Sequence, residues 1–234
     1  MGQRKAHSDA ADGQLALHVD AYGEETGPEP ETGPLFLVLD SETNGLPVSW
    51  KLGWKSVDNW PRVVQLAWVL YTADFKELDR KAFIVRPDGF DIPEEASRIH
   101  GITTERALAE GNEIADVLAE FEKAVRRADW LVAHNASYDG PVIAAEFWRR
   151  GENPPFDPAA MLCTKIDGTY VTRIPNDFNT GYKWPKLEEL HRFLLGEDFE
   201  GAHDAMVDVE ACARCFFKMK ENNQIPKLRS LTVR

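Results

Sequence analysis

Two carboxylates stand two residues apart at the end of an apolar run, Leu35-Phe36-Leu37-Val38-Leu39-Asp40-Ser41-Glu42-Thr43-Asn44-Gly45-Leu46. An extended chain alternates its side chains, so Asp40 and Glu42 point to the same side of that strand. Two more acids occupy comparable places. Asp139 follows His134-Asn135 at a predicted helix start, and Asp208 falls in the first turns of the last helix, five residues after His203. Acids at element ends are often simply solvated. A buried strand delivering two of them, and a carboxylate beside Val209 on an apolar helix stripe, are costly unless a cation sits there. Were the four to converge, each pair ~4 Å apart would cost ~4 kcal/mol at an effective dielectric of ~20. Two divalent cations would cancel four formal negative charges, and hard oxygen ligands suit Mg²⁺ or Mn²⁺.

The elements that must position these acids follow from periodicity and turn chemistry. The run from Leu35 reads as a strand buried on both faces, turned away by Thr43-Asn44-Gly45. Val63 to Tyr71 and Lys81 to Val85 read as two further strands joined through Thr72-Ala73-Asp74. Ile114, Val117, Leu118, Phe121 and Val125 repeat at helical spacing behind Asn112 as cap. A short strand up to Asn135 precedes a helix running to about Arg150 and stopped at Gly151. Leu187, Leu190 and Leu194 mark a helix ending at Gly196; Ala205, Val209, Cys212, Phe216 and Met219 mark the last one. Strands first, then helices alternating with short strands, predict an α/β domain with a mixed sheet.

Composition bounds the rest. The chain has 234 residues, 43% hydrophobic and 28% charged, enough for one well-buried domain with extensions. No apolar run approaches the length of a membrane span and no signal peptide opens the chain, so a cytoplasmic location without membrane contact is expected. Met1-Gly2 opens like a myristoylation site, but Ala6 stands where Ser or Thr is wanted. Residues 1–34 have the Gly, Pro and acid content of a flexible tail, with Leu15, Leu17 and Val19 alternating as a short added strand would. Residues 35–222 form the expected domain and 223–234 a C-terminal tail. The net charge of −12 excludes broad nonspecific duplex binding; bound divalent ions would locally reverse the field. Three cysteines make no disulfide framework, and Cys212-x-x-Cys215 lies mid-helix, where buried small side chains are expected rather than zinc ligands. The segment from Pro47 to Pro61 carries Trp50, Trp54 and Trp60, aromatics that could stack on bases and more often pack a loop onto a domain.

Three motifs together carry a family resemblance. Asp40-x-Glu42-Thr43-x-Gly45-Leu46, His134-Asn135-Ala136-x-Tyr138-Asp139 and His203-x-Ala205-x-x-Asp208 resemble the exonuclease motifs of the DEDD superfamily. The branch is the one with a catalytic histidine, which includes the proofreading epsilon subunit of bacterial DNA polymerase III and RNase T. The sister branch has a tyrosine four residues before the last aspartate, where this chain has Asp204. His100-Gly101-Ile102-Thr103 also looks like the epsilon pattern. Any one motif is weak; three in order, from about Leu35 to Asn222, are specific. The chain departs in having Asn44 where a second threonine is common, and in the long Trp-bearing insertion.

The resemblance implies a ribonuclease H-like exonuclease fold, a mixed five-stranded sheet flanked by helices, and two-metal hydrolysis of phosphodiester bonds from a 3′ end. Asp40, Glu42, Asp139 and Asp208 would hold the metals, and His203 would be the general base. Thr43, Asn44 and Leu46 would meet the terminal nucleotide, and Asn135 would support the second motif. Implied substrates are single-stranded DNA or RNA 3′ ends, in a proofreading or repair role, releasing nucleoside 5′-monophosphates. A DNA polymerase or sliding clamp is a candidate partner, with Gln224-Ile225-Pro226-Lys227-Leu228 as a faint clamp peptide. The competing expectation is a catalytically silent nucleic-acid-binding or adaptor module on the same fold; such a module usually lacks one of the five residues, all of which are present.

Overall fold

The computed structural model describes residues 33–178 and 180–229, with the pairs His18–Val19 (β1) and Glu25–Thr26 (β2). Residues 1–32 and 33–234 are separate compact units. In the first, β1 and β2 pair antiparallel; the rest of the tail expected over 1–34, including Leu15, Leu17 and the opening Met1-Gly2, lies outside the described residues up to Thr32.

The second unit is built on five strands: β3 (Phe36–Thr43), β4 (Val63–Tyr71), β5 (Glu77–Ile84), β6 (Trp130–Ala133) and β7 (Leu162–Cys163). Their order is β5-β4-β3-β6-β7, with β3, β4 and β5 antiparallel and β6 and β7 parallel to β3 and to each other. The expected mixed five-stranded sheet is therefore present, with β3 at its centre. β5 starts at Glu77, four residues before the expected Lys81, because its polar, half-exposed side chains conceal a strand that backbone pairing to β4 defines. The hairpin turn closes through Thr72 N–H to Lys76 O at 2.9 Å.

Helices cover both faces, with α1 (Glu94–His100) and α2 (Thr104–Glu110) in the connection that follows β5. Leu37, Leu39, Leu66 and Trp68 pack against α3 (Ile114–Arg127) and α4 (Ala136–Arg149) through Val117, Phe121, Val142 and Ile143. Phe36, Val38, Ala67 and Val69 pack against α6 (Leu187–Leu195) and α7 (Ala205–Glu221) through Leu190, Val209, Cys212 and Phe216. Fully burying such a side chain contributes roughly 1.5–3 kcal/mol, which is why a strand apolar on both faces belongs at the centre. Cys163, Cys212 and Cys215 are all buried and free.

One further expectation is corrected, and two segments take forms that the sequence did not show. The residue flanking α3 is Glu113, not Asn112, whose backbone bridges Val85 and Arg86 instead. The segment after β7 forms α5 (Thr164–Thr172), which has no clear apolar period. The clamp-peptide segment is folded down: Ile225 is 2% exposed in the core, and Pro226–Arg229 form a short helix. No helix among the described residues is long and apolar enough to cross a membrane.

Candidate active site

The parity of β3 sorts its acids between the two layers. Phe36 and Val38 face α7, and the same alternation carries Asp40 and Glu42 toward that side, where Asp208 stands in the first turn of α7. Ser41 points the other way, toward α4. Its hydroxyl donates to Asp139 Oδ1 at 2.7 Å and its N–H to the same oxygen at 3.1 Å. The strand end therefore draws α4 and α7 onto one point. A bulge between Glu42 and Thr43 ends the regular ladder there.

The start of α7 is held by three ties. Ala205 N–H donates to Gln65 Oε1 of β4 at 3.1 Å, Asp204 accepts from Met206 N–H, and Asp208 Oδ2 accepts from His203 N–H at 2.9 Å. His203 is exposed and left-handed, with φ 71°. That conformation is uncommon for a side chain larger than glycine and occurs where the surroundings impose it. It turns the imidazole into the acid cluster: Glu42, His203 and Asp208 each offer a ligand atom, all within 4.8 Å of one another.

Electrostatics report the crowding. Burial holds the Asp40 carboxyl well above the usual range, and Asp139, Asp208 and Glu42 push it the same way. Glu42 is pushed up to about 8 by burial and then by Asp208 and Asp139. Burial raises Asp208 to about 6 against the His203 N–H that lowers it, and raises Asp139 against its Ser41 hydrogen bonds. A divalent cation among these acids would offset the burial and mutual repulsion that raise them. Four carboxylates make an oxygen-only donor set that fits hard divalent ions, with one imidazole beside it.

Two cavities meet at these acids. One, of about 580 Å³, is lined by Asp40, Glu42, Asp139, His203, Asp208 and Trp184 among others. The second, of about 680 Å³, is more apolar and is lined by Thr43, Leu46, Trp50, Ile99, His100 and Tyr138 among others. Ser41, Glu42, Asn135, Tyr138 and Lys165 border both. All nine sequence-predicted residues thus lie along one cleft, but they are not equally available. Thr43 Oγ1 donates to Gly45 O at 2.8 Å and bonds the Tyr138 hydroxyl, which shapes the turn. Asn44 Oδ1 accepts from Arg62 N–H at 2.8 Å, which closes the base of the Trp insertion. Leu46 is exposed. Asn135, at φ 124°, accepts from Lys165 Nζ at 3.1 Å.

The insertion divides as its aromatics do. Trp60 is buried and Trp54 packs edge-on to Trp148, whereas Trp50 remains 59% exposed over the second cavity. Two participants, Lys165 and Glu146, were invisible in the sequence, and a third, His134, stood in the second motif with no role assigned to it. Lys165 carries no motif. His134 is half-buried; desolvation of its ring lowers it to about 4, and the ring bridges Thr164 and Pro185 O. Glu146 is 1% exposed and pairs with Arg62 and Arg149 behind the cleft, a buried charge that helix periodicity does not single out.

Residues 37–216, most of the chain, match the RNase T exonuclease family. The chain belongs to that family. Solved structures of E. coli exonuclease I share the fold. The complex with a dT13 oligonucleotide aligns at TM-score 0.65 and 22% identity over 85% of this chain and 43% of that one. A zinc-bound E. coli exonuclease I complex with single-stranded DNA aligns at TM-score 0.67 and 21% identity, over 84% and 43%. This exonuclease-family chain thus spans less than half the length of those structures. Sequence comparison with curated proteins finds no match.

Proposed function

We propose that the chain is a divalent-metal-dependent 3′→5′ exonuclease of the histidine branch, acting on single-stranded DNA or RNA ends. The observation that carries this reading is the convergence of Asp40, Glu42, Asp139 and Asp208 with His203 in one cavity. Their carboxyls are all held above the ordinary range by burial. Asp40, Glu42, Asp139 and Asp208 would hold two Mg²⁺ or Mn²⁺ ions. When bound, these supply a lowered water pKa and neutralise charge on the attacking and leaving oxygens.

The chain's own residues do the rest. The imidazole of His203 takes the proton of the attacking water, a task suited to a reference pKa of ~6.5. The water oxygen bonds to phosphorus as the bond from phosphorus to the upstream 3′-oxygen breaks; that oxygen takes a proton from solvent to become the new 3′-hydroxyl, and a nucleoside 5′-monophosphate is released. The apolar second cavity, with Leu46, Trp50 and the Thr43–Tyr138 pair, receives the terminal nucleotide. An acidic protein manages this because a few stacked nucleotides and metal–phosphate contacts replace a long basic groove. A proofreading or repair role is consistent with such an activity. The exonuclease I structures in complex with dT13 and dA16 are of a protein with this fold that binds single strands.

Incubating 3′- and 5′-labelled single-stranded DNA and RNA with Mg²⁺ or Mn²⁺ tests the reading. A ladder shortening from the 3′ end supports it. Folded protein that binds both strands without cleaving either favours the binding module.

A further inference from the structure

Trp184 is a large apolar side chain left 65% exposed at the rim of the acid cavity. Its position is fixed from behind. The next residue, Pro185, offers its carbonyl to the ring of His134 at 3.2 Å, and a carbonyl can only accept, so Nε2 of His134 donates. Over the indole lies Lys165 Nζ, 4.9 Å from the ring centroid, which also donates to Asn135 Oδ1 at 3.1 Å. Lys165 is half-buried and borders both cavities. An ammonium held between an aromatic face and an amide, at the crossing point between two cavities, is placed to meet an anion passing from one to the other.

A strand whose terminal nucleotide fills the apolar cavity must send its next nucleotide past the acids into the other one. We infer that Trp184 and Lys165 form a binding site for the nucleotide on the 5′ side of the scissile bond, Trp184 stacking on its base and Lys165 gripping its phosphate. The inference rests on the proposed exonuclease function and adds an upstream subsite to it. It demands an unpaired base, because only an unstacked base offers its face to an indole. Lys165 supplies positive charge to a strand that the net −12 of the chain would otherwise repel.

The test compares two single-stranded oligonucleotides, one ordinary and one with an abasic penultimate nucleotide, reading both KM and Kd by fluorescence anisotropy. Trp184→Ala should raise KM for the ordinary strand about tenfold with kcat within about twofold, a loss in the range of one stacked base. The same variant should change little on the abasic strand, and Trp184→Phe should restore most of the loss. Lys165→Met should weaken binding and reduce the slope of log Kd against log salt by about 0.7, with Lys165→Arg restoring it. An unchanged KM in Trp184→Ala, or an equal penalty on both strands, overturns the subsite. Should wild type bind but not cleave, the exonuclease reading fails while the comparison of Kd values still decides the subsite.

Discussion

Ser41 lies between the two acids of β3 and hydrogen-bonds a third, Asp139 Oδ1, through both its hydroxyl at 2.7 Å and its N–H at 3.1 Å. The pair joins the central strand to α4 at the cleft, and it holds down the pKa of a carboxyl that burial raises. Ser41→Ala removes one donor to the ionised form and so moves Asp139 further upward. The acid limb of the pH–rate profile should shift to higher pH, with a larger loss at pH 6 than at pH 8. A uniform loss across pH would show that the hydroxyl acts only through packing.

Glu42 links stability to pH with an unusual sign. Its carboxyl is pushed up to about 8 in the fold, against ~4.3 in an unfolded chain. Between those values the native state binds more protons than the unfolded one, so Glu42 lowers stability as pH rises. In EDTA, Glu42→Gln should match wild type near pH 4 and exceed it increasingly toward pH 8, by up to a few kcal/mol in urea unfolding. Mg²⁺ or Mn²⁺ at pH 8 should stabilise wild type more than the variant. A variant that is less stable at pH 8 without metal would contradict the electrostatic account.

Glu146 is 1% exposed, pairs with Arg62 at 2.9 Å and with Arg149 at 3.0 Å, and accepts from Val63 N–H. Glu146→Ala leaves two arginines facing each other at the root of the insertion. Removing one partner of a buried pair costs about 3–5 kcal/mol, and denaturant midpoints should show a loss of that order. A loss under about 1 kcal/mol would mean that water replaces the carboxylate at this site.

Wherever pattern and burial coincide, the sequence was sufficient. β3, β4, α3, α4 and α7 all carry long apolar stripes, and the acids on or beside them stand out because they interrupt those stripes. The less legible parts lack such contrast. β7 is two residues long, too short to alternate. β5 is half-exposed along its length, so its register comes from pairing to β4 and not from its own side chains. Lys165 sits on a helix of weak amphipathicity, and its partners Asn135 and Trp184 are distant in sequence. Asn44 shows the converse: a motif position whose side chain the local fold uses for Arg62.

The measurement that most directly tests the central claim is single-turnover cleavage of a 3′-end-labelled single strand by wild type, Asp40→Ala and His203→Ala, with oligonucleotide binding followed in parallel. His203 faces Glu42 and Asp208 from an exposed loop, so its loss should leave the fold and strand binding intact. The rate should fall by about 10²–10⁴ in His203→Ala, the range for a general base, and at least as far in Asp40→Ala. Wild-type rates in either variant, with the protein folded and metal present, would contradict the account.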